Sequence, residues 1–120
     1  MNNYDNFFLP TDDLYEAVNF YTNLGLSEKF NFSDKGMIAF SVGEEEPAII
    51  LKDIARFPDQ KPTIWFVLND VLTEYKKLEE RGIRFISKPY PIGTGIAVEF
   101  KDPFGNVLGI TDYSKRINNE

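Results

Sequence analysis

The 120-residue chain contains no histidine and no cysteine. Without cysteine there is no disulfide, no thiolate nucleophile and no zinc–cysteine site. Without histidine there is no Ser-His or Cys-His pair, no imidazole general base and no histidine-containing metal sphere. Any catalysis would rest on Asp, Glu, Lys, Arg, Tyr or Ser/Thr. Positive charge is also scarce: 13 Lys+Arg against 19 Asp+Glu leave a net charge of −6. That balance argues against a nucleic-acid or anionic-membrane partner and suits a cationic ligand. The N-terminus, Met-Asn-Asn-Tyr-Asp, lacks a basic region followed by an apolar run, and no segment approaches 18 apolar residues. The expectation is a soluble, cytoplasmic single domain with room for one core.

What is present is a repeat. Asn6 to Leu9 reads as a strand closed by Pro10, which cannot donate to a ladder. Asp13 caps a helix, Glu16 completes a capping box, and Leu14, Ala17, Val18, Tyr21 and Leu24 recur at helical spacing until Gly25 ends it. Strands follow at Ser27 to Asn31, Met37 to Val42 and Ala48 to Lys52. After a connector over 54–62, rich in Pro and polar residues, the order restarts. Thr63 to Leu68 is a strand, Asp70 a cap, Val71, Leu72, Tyr75 and Leu78 a helical stripe, and Gly82 its stop. Asp13 and Asp70 are 57 residues apart, and so are Gly25 and Gly82; a shared offset in two punctuating residues marks an internal duplication. Strands at Arg84 to Ser87, Ile96 to Phe100 and Val107 to Thr111 complete the second half. The loop Lys88 to Gly95 between the first two is either a flap or a hairpin connection. Residues 115–120 form a polar tail.

The fold class is therefore α+β: two βαβββ modules, 4–53 and 63–113, forming a curved eight-stranded mixed sheet. One helix per four strands covers only one face, so the helices lie outside and the bare face forms a concave ligand trough.

The stretch Lys101-Asp-Pro-Phe-Gly-Asn-Val-Leu-Gly-Ile-Thr-Asp112, with the paired Asp caps, Phe20-Tyr21-x-x-Leu24-Gly25-Leu26 and Gly82, resembles the vicinal oxygen chelate superfamily of glyoxalases, extradiol dioxygenases and bleomycin-resistance proteins. The resemblance covers roughly residues 4 to 113. It implies a divalent metal held from four positions, which fall here on Asn6, Ile50, Thr63 and Gly109. The last of these is ordinarily Glu. None of the four is a carboxylate or an imidazole, and hard divalent ions need several ligands with carboxylate among them. The expectation is no metal and no cofactor.

Strand alternation supplies what the trough would contain instead. If Asn6 and Thr63 point inward, so do Phe8 and Trp65, with Ala97, Glu99 and Thr111, while Phe7, Ile64, Phe66, Val98 and Phe100 face the helices. The candidate ligand-binding residues are therefore Trp65, Phe8, Glu99, Asn6, Thr63 and Thr111, a set suited to a flat or cationic molecule. The bland counterpart is that Trp65 and Phe8 fill a closed trough and Glu99 pairs with Lys52 or Lys101. What the resemblance implies is then a metal-free, homodimeric small-molecule binder of the bleomycin-resistance kind. The alternatives are a glyoxalase- or dioxygenase-like metal enzyme and a protein-interaction module with a filled trough.

Overall fold

The computed structural model describes residues 1–115, and residues 116–120 of the expected tail lie outside the described residues. The chain runs β1 (Asn3–Thr11), α1 (Leu14–Leu24), β2 (Ser27–Phe32), a 3-10 turn (Ser33–Lys35), β3 (Met37–Ser41), β4 (Ala48–Asp53), β5 (Thr63–Val67), α2 (Val71–Glu80), β6 (Arg84–Phe85), β7 (Tyr90–Ile92), β8 (Gly95–Lys101) and β9 (Val107–Thr111). The α+β class and the two βαβββ modules are observed. Among the described residues no helix is long and apolar enough to cross a membrane.

One compact unit comprises residues 6–62. Its strands are ordered β2-β3-β4-β1, with β1 and β4 parallel and the other pairs antiparallel. Alternation divides its sheet into two apolar faces. Ile38, Phe40 and Leu51, with Leu9 and Ile49, pack against Ala17, Leu14, Val18 and Tyr21 of α1. Phe40 is fully buried, worth about 1.5–3 kcal/mol for a side chain of that kind. The opposite face carries Ala39, Ala48 and Ile50, flanked by Phe8, Phe30 and Met37.

The second unit comprises residue 63 onward together with residues 1–5. Asn2 N–H donates to Val67 O (2.8 Å), and the rings of Tyr4 and Phe66 stack at 5.7 Å. The Tyr113 hydroxyl donates to Asp5. Its strands are ordered β5-β9-β8-β6, with β5 and β9 parallel and β7 hairpinned onto β8. Leu68, Val71, Val98 and Ile110, with Phe66, Tyr75, Leu78, Phe85, Ile96 and Phe100, make the core under α2.

The 57-residue repeat is structural. Asp13 Oδ1 accepts from Glu16 N–H (3.0 Å) and Asp70 Oδ1 from Thr73 N–H (3.2 Å), one cap per module. Gly25 ends α1 at φ 109°, a conformation open to glycine at least cost. In the closing turn Asp102 Oδ1 accepts from the N–H groups of Phe104 and Asn106 (2.8 and 2.9 Å), and Asn106 Nδ2 donates to Oδ2 (2.7 Å).

Three expectations need correction, and one open alternative is decided. The first strand does not stop at Pro10 but runs to Thr11, with Pro10 opposite Lys52. A strand residue directs its N–H to one neighbour only, so a missing donor is tolerated where none is called for. The capping box at Asp13 is one-sided, because its own N–H donates to Thr11 Oγ1 (3.1 Å) instead of to Glu16. The described residues hold nine strands rather than eight, since Tyr90–Ile92 pairs with Gly95–Ala97. The loop Lys88 to Gly95 is thereby a hairpin connection and not a flap.

Candidate functional site

The helix-free face of the second module is a grid set by register. Alternation puts Thr63, Trp65 and Val67 of β5 on it, with Val107, Gly109 and Thr111 of β9 and Ala97, Glu99 and Lys101 of β8. Trp65 pairs with Gly109, and Gly109 with Glu99, so these three form one row across the sheet. Adjacent strands are about 4.8 Å apart, which separates the Trp65 and Glu99 backbones by roughly 10 Å with only a glycine between them.

That gap is filled from one side. The six-membered ring of Trp65 lies over Gly109 so closely that a Cβ added there would be driven into Cδ2, Cε2 and Cε3 of the indole. Trp65 itself is 9% exposed. Glycine is thus required for space, and any side chain would have to displace the ring.

Glu99 occupies the other end of the row and is partly exposed. Its Oε1 accepts from the Tyr90 hydroxyl (3.1 Å), and its N–H donates to Ser87 Oγ (3.4 Å). No ion pair between Glu99 and Lys101 is found among the described residues, and the carboxylate instead takes the Tyr90 hydroxyl from the β7–β8 hairpin. Burial, followed by the charge of Glu99 and the hydrogen bond to it, pushes the Tyr90 phenol well above its ordinary value. Tyr90 is therefore the donor in this bond, and Glu99 Oε2 has no protein partner among the described residues.

The remaining sequence-predicted residues fall into two groups. In the second module, Thr63 is 8% exposed and its buried hydroxyl has no hydrogen-bond partner among the described residues. An orphaned buried hydroxyl is costly, and a water reaching it would relieve that cost. Thr111 is not available in that way, since its Oγ1 donates to Ile96 O (3.0 Å) in a buried setting. In the first module, Asn6 Oδ1 accepts from Ala48 N–H (3.0 Å) and so holds the start of β4. Phe8 pairs with Ile50 and has the Lys52 ammonium 4.2 Å from its ring centroid, while the same ammonium stands 4.7 Å from Phe57. Phe8 thus already meets a cation belonging to the chain itself.

These residues do not fit a divalent metal. Of the four positions the resemblance supplies, the Asn6 carbonyl is engaged by Ala48, Ile50 is hydrocarbon and Gly109 lies beneath an indole. Thr63 offers one neutral hydroxyl. Among the described residues no three Asp or Glu side chains converge on a common point.

Two participants escaped the sequence reading, while Lys52, named there only as a partner for Glu99, instead lies over the rings of Phe8 and Phe57. Tyr90 was not legible, because its reach to Glu99 depends on β7 forming. Asp112 is 1% exposed and accepts from Val71 N–H (2.9 Å), Ile96 N–H (2.9 Å) and Ser114 Oγ (2.8 Å), tying the start of α2 to β8. It lies next to the recognised turn and strand, but nothing local marked it as buried.

A family model described as Glyoxalase/Bleomycin resistance protein/Dioxygenase superfamily matches residues 3–110. No curated protein matches the sequence. The fold is similar to that of methylmalonyl-CoA epimerase from Mycobacterium tuberculosis, with a TM-score of 0.72, 17% identity, and 98% of this chain and 92% of that one covered. It is also similar to a Legionella pneumophila structure described as NAD-dependent benzaldehyde dehydrogenase, with a TM-score of 0.73, 16% identity, and 90% and 97% covered. A glyoxalase/bleomycin resistance protein/dioxygenase superfamily member from Vibrio splendidus gives a TM-score of 0.66, 16% identity, and 88% and 95% covered.

Proposed function

Because this chain belongs to the glyoxalase/bleomycin resistance protein/dioxygenase superfamily, and a glycine beneath Trp65 stands where a metal-ligating glutamate is expected, we propose that it binds a small molecule without a metal. The ligand is flat or cationic, and it meets the helix-free face of the second module where Glu99 and Tyr90 are partly exposed. Trp65 serves as the wall of that site, since it is only 9% exposed. The indole lying on Gly109 carries this reading, because it replaces a charged donor with hydrocarbon at a position that would otherwise anchor the ion. The orphaned Thr63 hydroxyl and the acidic balance support it. Family membership alone does not, since one fold hosts unrelated chemistries. A homodimer is part of the proposal, because a domain of this size encloses little cavity alone.

Elemental analysis of protein purified without chelator tests the reading. The expected result is no stoichiometric transition metal; about one nickel, zinc, manganese or iron per chain overturns it.

A second reading is favoured by one observation: Trp65, Ala97 and Thr111 are at most 9% exposed, as in a face filled by its own side chains. In that case the protein is an interaction module. Emission of Trp65 at the blue limit, together with insensitivity to soluble quenchers and to every flat or cationic probe, would select this reading.

A further inference from the structure

Glu99 is the carboxylate on the grid of the second module, and both its flanks are aromatic. Tyr90 touches it from β7, and Gly109, its neighbour in the row, is covered by the indole of Trp65. Tyr90 sits between Pro89 and Pro91 in a strand paired to β8. Two fixed φ angles and a hairpin ladder restrain the backbone on either side of Tyr90, whose hydroxyl donates to one carboxylate oxygen. The other oxygen, Oε2, is left as an acceptor without a partner among the described residues. Lys101, two residues on along the same face, is exposed and makes no ion pair with it. A carboxylate with one oxygen held by a phenol, the other without a hydrogen bond among the described residues, and a ring-covered glycine beside it matches a donor that is positively charged, flat and rich in N–H.

Resting on the metal-free binding reading, we propose that the ligand carries a planar N–H cation, of the amidinium or protonated aromatic amine class, received by Glu99 Oε2. Tyr90 is the positioning residue that presents Glu99 to it. A quaternary ammonium has the charge but no N–H, and a carboxylate has the wrong charge. Neither uses the free oxygen.

The test is a titration of the full chain, followed by backbone amide NMR shifts, with benzamidinium, phenyltrimethylammonium and benzoate as probes of similar size. Benzamidinium is expected to bind about tenfold or more tightly than phenyltrimethylammonium, with shifts centred on Tyr90 and Glu99, and benzoate not to bind. Glu99→Gln should weaken benzamidinium by roughly ten- to a hundredfold. Tyr90→Phe should weaken it by roughly two- to tenfold while keeping the order of the probes. Equal affinity of wild type and Glu99→Gln for benzamidinium overturns the proposal, as does equal binding of the two cations. So does the absence of binding up to about 10 mM. If a variant fails to fold, the wild-type order of the three probes decides alone. Preference for benzoate in metal-free protein overturns this inference and leaves the reading beneath it standing, whereas stoichiometric metal removes that reading as well.

Discussion

The indole of Trp65 lies across the backbone of Gly109, its partner in the parallel ladder between β5 and β9. Two residues 44 positions apart thereby specify each other: the ring needs a neighbour without a side chain, and the glycine is covered by the ring. The relationship is testable as a coupling. Gly109→Ala should cost about 1–3 kcal/mol, the usual result of forcing extra volume into a packed site. Trp65→Ala should cost about 3–5 kcal/mol if the buried ring leaves a cavity. In the double variant the added methyl meets space instead of a ring. The two costs should then fall short of additivity by at least about 0.5–1 kcal/mol in urea denaturation. Strict additivity would show that the ring moves aside freely.

Gly109→Glu should not recruit a metal. Restoring the glutamate displaces the indole but leaves Ile50 and the engaged Asn6 unchanged, so one carboxylate stands without partners. Thermal melts with and without added zinc or manganese should coincide; stabilisation of the variant by a few degrees on adding metal would contradict this.

Asp112 should govern acid stability. Burial alone would push its carboxyl up, but the hydrogen bonds from Val71, Ile96 and Ser114 outweigh that and hold it below the usual carboxylate value. A carboxylate depressed in the folded state contributes stability that is present above its unfolded value, near pH 4. That contribution is lost as pH falls through the folded value. Asp112→Asn is therefore expected to cost about 1.5–3 kcal/mol at pH 7 and progressively less below pH 4. Denaturation curves of both proteins at pH 7 and pH 3 check it. A pH-independent difference would remove Asp112 from the linkage.

Tyr90 should govern part of the alkaline limb. Its phenol is raised by burial first and by Glu99 second, so the folded state holds the proton more tightly than the unfolded chain does. Its contribution is fully present below about pH 10, and stability falls as pH rises above that value, because the unfolded tyrosine ionises first. In an ultraviolet titration of the six tyrosines, one should resist ionisation until the protein unfolds, and Tyr90→Phe should abolish that late step. Persistence of the step in the variant would assign it to another tyrosine.

Asn6→Ala should destabilise without touching any ligand. It leaves the N–H of Ala48, which is 1% exposed, without its acceptor. The expected cost is about 1–3 kcal/mol, with unchanged affinity for any probe that binds through Glu99.

The duplication, the two Asp caps and the face on which each strand residue lies were all legible in the amino-acid sequence, because they rest on periods of two and 3.6 and on capping chemistry within four residues. Alternation, anchored on the ligand positions that the resemblance implies, put Trp65, Gly109 and Glu99 on one face before any pairing was known. It could not say that they share a row. That needed the register of β5 on β9 and of β9 on β8, set by contacts between segments tens of residues apart. The same limit hid the engagement of Asn6 by Ala48, the reach of Tyr90 to Glu99 and the burial of Asp112 between α2 and β8. Each of these is a hydrogen bond between elements whose separation only the folded chain defines. The sequence by itself determined which strand residues alternate together; tertiary structure decided that, among the described residues, the Thr63 hydroxyl and one oxygen of Glu99 are left without a hydrogen bond, because hydrogen-bond satisfaction is a property of neighbours and not of residue type.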